Sequence, residues 1–128
     1  VVTVEIDIRA RRVDEIDTEQ AVTLVLSGGA AIRIESTFDL TEPAVTPRII
    51  DPENLSTDLG LGSMLRGRVV EAATADEETG LLSITFLGGL VLRVPPDPDF
   101  EAWSTSWSDG STVVALPGGG LSSWGARP

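Results

Sequence analysis

Asp97, Asp99 and Glu101 stand at alternate positions in the segment Pro95-Pro96-Asp97-Pro98-Asp99-Phe100-Glu101. In an extended chain, alternate side chains project to one side, and three carboxylates so placed have the chemistry to hold a hard cation such as calcium. The spacing lacks the loop glycine and the later bidentate Glu of an EF-hand. A proline-stiffened acidic loop in solvent explains the same residues, so neither a metal nor another cofactor is expected. A pair of carboxylates about 5–10 Å apart is also the machinery of glycoside hydrolysis. Among 20 Asp and Glu some such pair arises by chance, and with no Tyr and no His the chain has little with which to line a sugar subsite.

Trp103, Trp107 and Trp124 are the other conspicuous side chains. They could stack against sugar rings or form a hot spot for a protein partner. Only three Phe accompany them, so a core in need of aromatics is the stronger reading. Gly118-Gly119-Gly120 resembles a phosphate cradle only superficially: no Lys follows it and no helix start is signalled after it. Arg33 and Arg93 occupy equivalent places after two Gly-Gly pairs and could form a symmetric anion site. As strand charges beside Asp or Glu they would contribute little.

Composition removes whole classes of function. There is no Cys and no His, and every basic residue is an arginine. Thiol and imidazole catalysis, thiolate or His-ligated metal sites, Schiff bases and a P-loop lysine are therefore absent. The vocabulary left is carboxylates, Ser and Thr, Arg and backbone, and the expectation is that the protein is not an enzyme. A formal net charge of -11 and a pI near 4.2 oppose binding to nucleic acid or to anionic membranes. They favour a basic protein partner. Three acidic stretches are the candidates to meet it: Asp14, Glu15, Asp17 and Glu19; Asp76, Glu77 and Glu78; and Asp97, Asp99 and Glu101. The tryptophans Trp103 and Trp107 are candidates beside them.

These groups must be positioned by strands. Val2, Val4, Ile6 and Ile8 alternate with polar residues, the period of a half-buried strand. No apolar run approaches the length of a membrane helix, and the opening residues read as a strand rather than a signal peptide, so a cytoplasmic location is expected. Val22, Leu24 and Leu26 alternate up to Ser27-Gly28-Gly29, after which Ala30, Ile32 and Ile34 resume the pattern. A two-residue Gly-Gly turn would set Leu24 opposite Arg33. A three-residue loop sets Leu26 opposite Ala30, Leu24 opposite Ile32 and Val22 opposite Ile34, and keeps one face apolar. Leu82, Ile84 and Phe86, then Leu87-Gly88-Gly89, then Leu90, Leu92 and Val94 repeat the device, and Arg68-Val69 echoes Arg12-Val13. Residues 11–36 and 67–95 thus read as a duplicated three-strand meander, with two of the acidic stretches in equivalent turns.

Between the copies, Phe38–Ile50 carries Pro43 and Pro47 and reads as a loop. Asp51-Pro52-Glu53 is a helix-start signal, and one short helix is predicted near residues 52–66, weakened by Gly60 and Gly62. Residues 100–125 form a Trp-rich hairpin region. A two-residue turn at Asp109-Gly110 would pair Trp107 with Thr112, Thr105 with Val114 and Trp103 with Leu116. The chain is predicted to be one domain of α+β class, mainly antiparallel β, with about nine or ten strands.

The block Pro95-Pro96-Asp97-Pro98-Asp99-Phe100-Glu101-Ala102-Trp103, then Asp109-Gly110, then Leu116-Pro117-Gly118-Gly119-Gly120-Leu121 and Trp124, resembles a small family of actinobacterial proteins of unknown function. The Arg-Val and Gly-Gly-x-x-x-Arg elements are similar to that family too. The family often carries Tyr where this chain has Phe100. The resemblance implies a single cytoplasmic domain and brings no activity with it. Three functions remain open on the residues: an acidic protein-binding domain, in a concrete version an immunity or antitoxin-like protein; a small-ligand or carbohydrate-binding β domain using exposed tryptophans; and a structural subunit of an assembly.

Overall fold

A computed structural model describes residues 2–53, 55 and 60–125. Among these residues twelve strands run β1 Thr3–Glu5, β2 Val13–Asp17, β3 Val22–Leu26, β4 Ala30–Ile34, β5 Phe38–Thr41, β6 Arg48–Ile50, β7 Val70–Asp76, β8 Leu82–Phe86, β9 Val91–Val94, β10 Trp103–Trp107, β11 Thr112–Ala115 and β12 Leu121–Trp124, with one helix, α1 Leu61–Leu65, between β6 and β7. They form two antiparallel six-stranded sheets, ordered β1-β7-β8-β9-β5-β6 and β12-β11-β10-β4-β3-β2. The inward residues of both sheets make one apolar cluster, from Val22, Leu24, Ile32 and Ile34 on one side to Ile84, Phe86, Leu92 and Val94 on the other. Alternation along each strand decides this, because a period-2 chain offers its apolar half to a single face.

The sheets share a corner. After β1, residues 6–13 run beside β7 and the residues just before it: Ile6 N donates to Ala73 O at 2.9 Å, Ala10 N to Val70 O at 2.8 Å and Val13 N to Arg68 O at 2.8 Å. The chain then leaves β7 and pairs with β3 as β2, with a register shift between Val13 and Glu15. β7 shows the same shift between Val70 and Ala72 where it joins β8. Such bulges turn a strand from one sheet into the other. They also correct the sequence echo by one residue: Val13 opposes Leu26 as Val70 opposes Phe86, so the counterpart of Val13 is Val70 rather than Val69.

The first Gly-Gly loop has the expected register, Val22 with Ile34, Leu24 with Ile32 and Leu26 with Ala30. Other expectations need correction. Phe38–Ile50 is not simply a loop: β5 and β6 pair within it, and β5 also joins β9. Pro43 lies between those strands and Pro47 just before β6, so neither interrupts the ladder. The Asp109-Gly110 turn is a three-residue loop, because Thr105 opposes Val113 and Ser106 opposes Thr112. The Asp109 carboxylate accepts the Ser111 amide at 2.9 Å and the Ser111 hydroxyl. That bond draws Ser111 into the register in which Val113 and Ala115 face the core beside the tryptophans. The predicted helix near residues 52–66 is helical over Leu61–Leu65. Pro52 and Glu53 form a turn in which Asp51 accepts the Glu53 amide at 3.0 Å. Positions 54 and 56–59 of that expectation lie outside the described residues.

Candidate functional site

Trp103, the first residue of β10, is fully buried, and its Nε1 donates to Gly80 O at 2.8 Å. This bond seats the β7–β8 turn of one sheet against the start of β10 in the other. Gly118 N donates to Asp97 O at 2.8 Å, joining the β11–β12 turn to the loop before β10. The fit is close: a Cβ on Gly119 would lie 3.1 Å from Glu78 O, and one on Gly80 would lie 3.0 Å from Gly120 O. Three turns far apart in sequence thus form one end of the molecule, and they bring together Asp76, Glu77, Glu78, Asp97, Asp99 and Glu101.

Asp17 and Glu19 stand at the same end of their sheet, since Asp17 opposes Thr23 while Val22, Ile34 and Trp103 lie in one row. They sit on the far edge, three strands from β10, or about 14 Å at ~4.8 Å per strand. Asp14 and Glu15 do not join. Asp14 accepts Arg12 Nε at 2.7 Å, and Glu15 is exposed opposite Val25 in mid-strand. Arg11, Arg12 and Arg68 lie at the opposite end, whereas Arg33, opposite Thr23 and Ser104, and Arg93, opposite Ser83, stand one row in from the acidic turns. Arg11 donates to Ser27 O at 3.1 Å in the β3–β4 loop, and Arg68 Nη1 lies where a Cβ on Gly88 of the β8–β9 loop would be 3.3 Å away. None of the turns at the acidic end contains an arginine. Neither end is of one sign, however: Arg33 borders Asp17 and Glu19, and at the other end Asp14 pairs with Arg12 and Glu42 with Arg68.

Two of the acidic residues have structural work. Asp97 Oδ1 accepts the amides of Asp99 at 2.8 Å and Phe100 at 3.1 Å, so that carboxylate closes its own loop. Asp76 Oδ1 accepts the amides of Thr79 at 2.9 Å and Glu78 at 2.8 Å. These bonds, Thr79 first and Glu78 next, hold its carboxyl below the ordinary aspartate value against a small opposing effect of desolvation. Among the described residues, no hydrogen bond or ion pair is shown for the carboxylates of Glu77, Glu78, Asp99 or Glu101. No three acidic side chains there gather as metal ligands.

The tryptophans divide. Trp103 and Trp107 are core residues, and Trp107 Nε1 donates to Asp7 O at 2.9 Å. A stacking platform or contact patch built on them is therefore not present at the surface. Trp124 is 54% exposed at the end of β12. Between Trp103 and Trp107, Thr105 is buried with its hydroxyl unpartnered. Arg33 and Arg93 point outward from different sheets and do not converge. The Gly118-Gly119-Gly120 segment is a turn closed by Leu116 N donating to Gly120 O at 2.9 Å, followed by β12 and not by a helix.

One feature was not legible in the sequence. On the side where β1 edges one sheet and β12 edges the other, the sheets part around a groove of about 420 Å³, lined by Val4, Glu5, Ile6, Glu77, Val113, Leu121 and Ser123. Its lining mixes the apolar Val4, Ile6, Val113 and Leu121 with polar groups, and among the described residues its charged members are the two glutamates. A shallower groove of about 250 Å³ lies by Asp17, Glu19 and Arg33. No helix among the described residues is long and apolar enough to cross a membrane.

A family model described as a family of unknown function (DUF6188) matches residues 4–125, and the chain belongs to that family. No curated protein and no solved structure was found to match it.

Proposed function

We propose that this DUF6188 member is a non-enzymatic, cytoplasmic binding domain for a basic protein, in the manner of an immunity or antitoxin protein that covers a cationic surface. The observation behind this reading is the joining of the β7–β8 turn, the loop before β10 and the β11–β12 turn, none of which contains an arginine, with no bond shown among the described residues for the carboxylates of Glu77, Glu78, Asp99 and Glu101. A predominantly acidic patch on a molecule of net charge -11 raises encounter rates with a cationic partner and rejects anionic ones. The scaffold is read as a duplicated meander. Gly28 and Gly29 recur as Gly88 and Gly89, and Arg11 lies against Gly28 as Arg68 lies against Gly88. The duplicated loops, with Arg11 and Arg68 against them, lie at the end away from the acidic turns.

The test is affinity capture from native lysate with the intact chain and with a Glu77→Gln, Glu78→Gln, Asp99→Asn, Glu101→Gln variant, at about 50 and 200 mM salt. No bond of these four side chains is shown among the described residues, so the variant is expected to remain folded. The expected result is one basic protein held by the native chain at low salt, lost at higher salt and lost by the variant. Equal capture by both chains, or no partner at low salt, refutes the reading.

A further inference from the structure

We infer that the groove between β1 and β12 is a docking site for an extended basic segment of a partner protein, which adds as a strand to the free edge of β1. The inference rests on the basic-partner reading above and gives it a place and a geometry. Val2 O accepts from Glu77 N at 2.9 Å and Ile6 N donates to Ala73 O at 2.9 Å, with Val4 opposite Ala75 between them. In an antiparallel ladder the amides alternate in direction, so the N–H and C=O groups of Thr3 and Glu5 turn away from β7 along the border of the groove. The next group on that side, the Asp7 carbonyl, is taken by Trp107 Nε1. The open stretch is thus bounded, with a length suited to a short strand.

The far wall has the same character. Leu116 N donates to Gly120 O and Val114 opposes Ser122, so the amides of Leu121 and Ser123 face the free edge of β12. Between the two edges lie Val4, Ile6, Val113 and Leu121, and above them the carboxylates of Glu5 and Glu77. Unpaired ladder groups select an extended backbone, the apolar side chains of the lining select every second side chain, and two carboxylates with no cation among the described lining residues select Arg or Lys at the positions between. A small polar ligand would leave those apolar side chains uncovered, and an acidic segment would meet Glu5 and Glu77.

The probe is a capped hexapeptide alternating arginine and valine, titrated into the full-length chain and followed by amide hydrogen exchange. Binding at about 50 mM salt with exchange of the Thr3 and Glu5 amides slowed about tenfold or more is expected. Thr3→Pro removes one outward N–H without touching the bonds to β7. It should weaken the peptide about tenfold, as should N-methylation of the peptide on its pairing edge. The Glu5→Gln, Glu77→Gln variant should weaken binding and flatten its salt dependence. Unchanged emission from buried Trp103 and Trp107 shows that the variants are folded. Peptide binding that leaves the Thr3 and Glu5 amides unprotected, or that tolerates N-methylation, overturns strand addition while leaving the acidic-end reading standing. Absence of peptide binding overturns the docking site, and lysate capture decides the wider reading separately.

Discussion

Replacing Trp103 with Phe tests the join on which the acidic end depends. The indole is fully buried and its N–H donates to the carbonyl of Gly80, itself buried. Phe keeps an aromatic ring in the core but has no donor, so the Gly80 carbonyl is stranded away from water at a cost of about 1–3 kcal/mol. Loss of the second ring leaves a void of roughly 40 Å³, worth about 1 kcal/mol at ~24 cal/mol per Å³. The expected loss is about 2–4 kcal/mol, with the midpoint of thermal unfolding lowered by about 4 °C per kcal/mol in a domain of this size. Urea titration followed by far-ultraviolet circular dichroism reads it directly, and the denaturant slope should not change, because the native and unfolded surfaces are nearly the same. Trp124→Phe, at an exposed site, is the control and should stay within about 0.5 kcal/mol of the native chain. A loss below about 1 kcal/mol for Trp103→Phe would refute the argument that this bond and this packing join the two sheets.

Acrylamide should quench Trp124 alone of the three tryptophans, and Trp124→Phe should abolish the quenchable component; quenching of all three would contradict the burial of Trp103 and Trp107. Gly29→Ala should destabilise more than Gly118→Ala in the same urea assay. Both residues have positive φ, +84° and +78°, but a Cβ on Gly29 would lie 2.8 Å from Ser108 Oγ and 2.9 Å from Ser108 Cβ, whereas nothing lies within 4 Å at Gly118. The conformational cost is about 1–2 kcal/mol in each, and only Gly29 adds a clash. Asp76 binds its proton less readily in the folded chain than in the unfolded one. Its stabilising effect is present above the ordinary aspartate range, near about pH 4, and is lost as pH falls below it through the lowered folded value. Asp76→Asn should therefore flatten the acid limb of the stability–pH curve, and an unchanged limb would refute the assignment.

Local pattern made much of the fold legible. The alternation of Val22, Leu24 and Leu26 with Ala30, Ile32 and Ile34 around a Gly-Gly pair has one solution that keeps charge off the apolar face, and that solution is the observed register. Phe38–Thr41 and Arg48–Ile50 escaped because Pro43 and Pro47 dominate a short window, while the pairing of β5 with β9 joins residues distant in sequence. The Asp109-Gly110 loop is one residue longer than its dipeptide signals, because the deciding bond, from Ser111 to the Asp109 carboxylate, belongs to a side chain and has no periodicity. Composition and spacing by themselves determined that this is an acidic, mainly antiparallel β protein without thiol, imidazole or amine chemistry. Only the tertiary structure decided that Trp103 and Trp107 are core, that the turns carrying Glu78, Asp97 and Gly119 meet at one end, and that β1 and β12 flank an open groove. Those outcomes depend on which strands become neighbours across two sheets, a matter of long-range packing and satisfied backbone groups that no window of sequence contains.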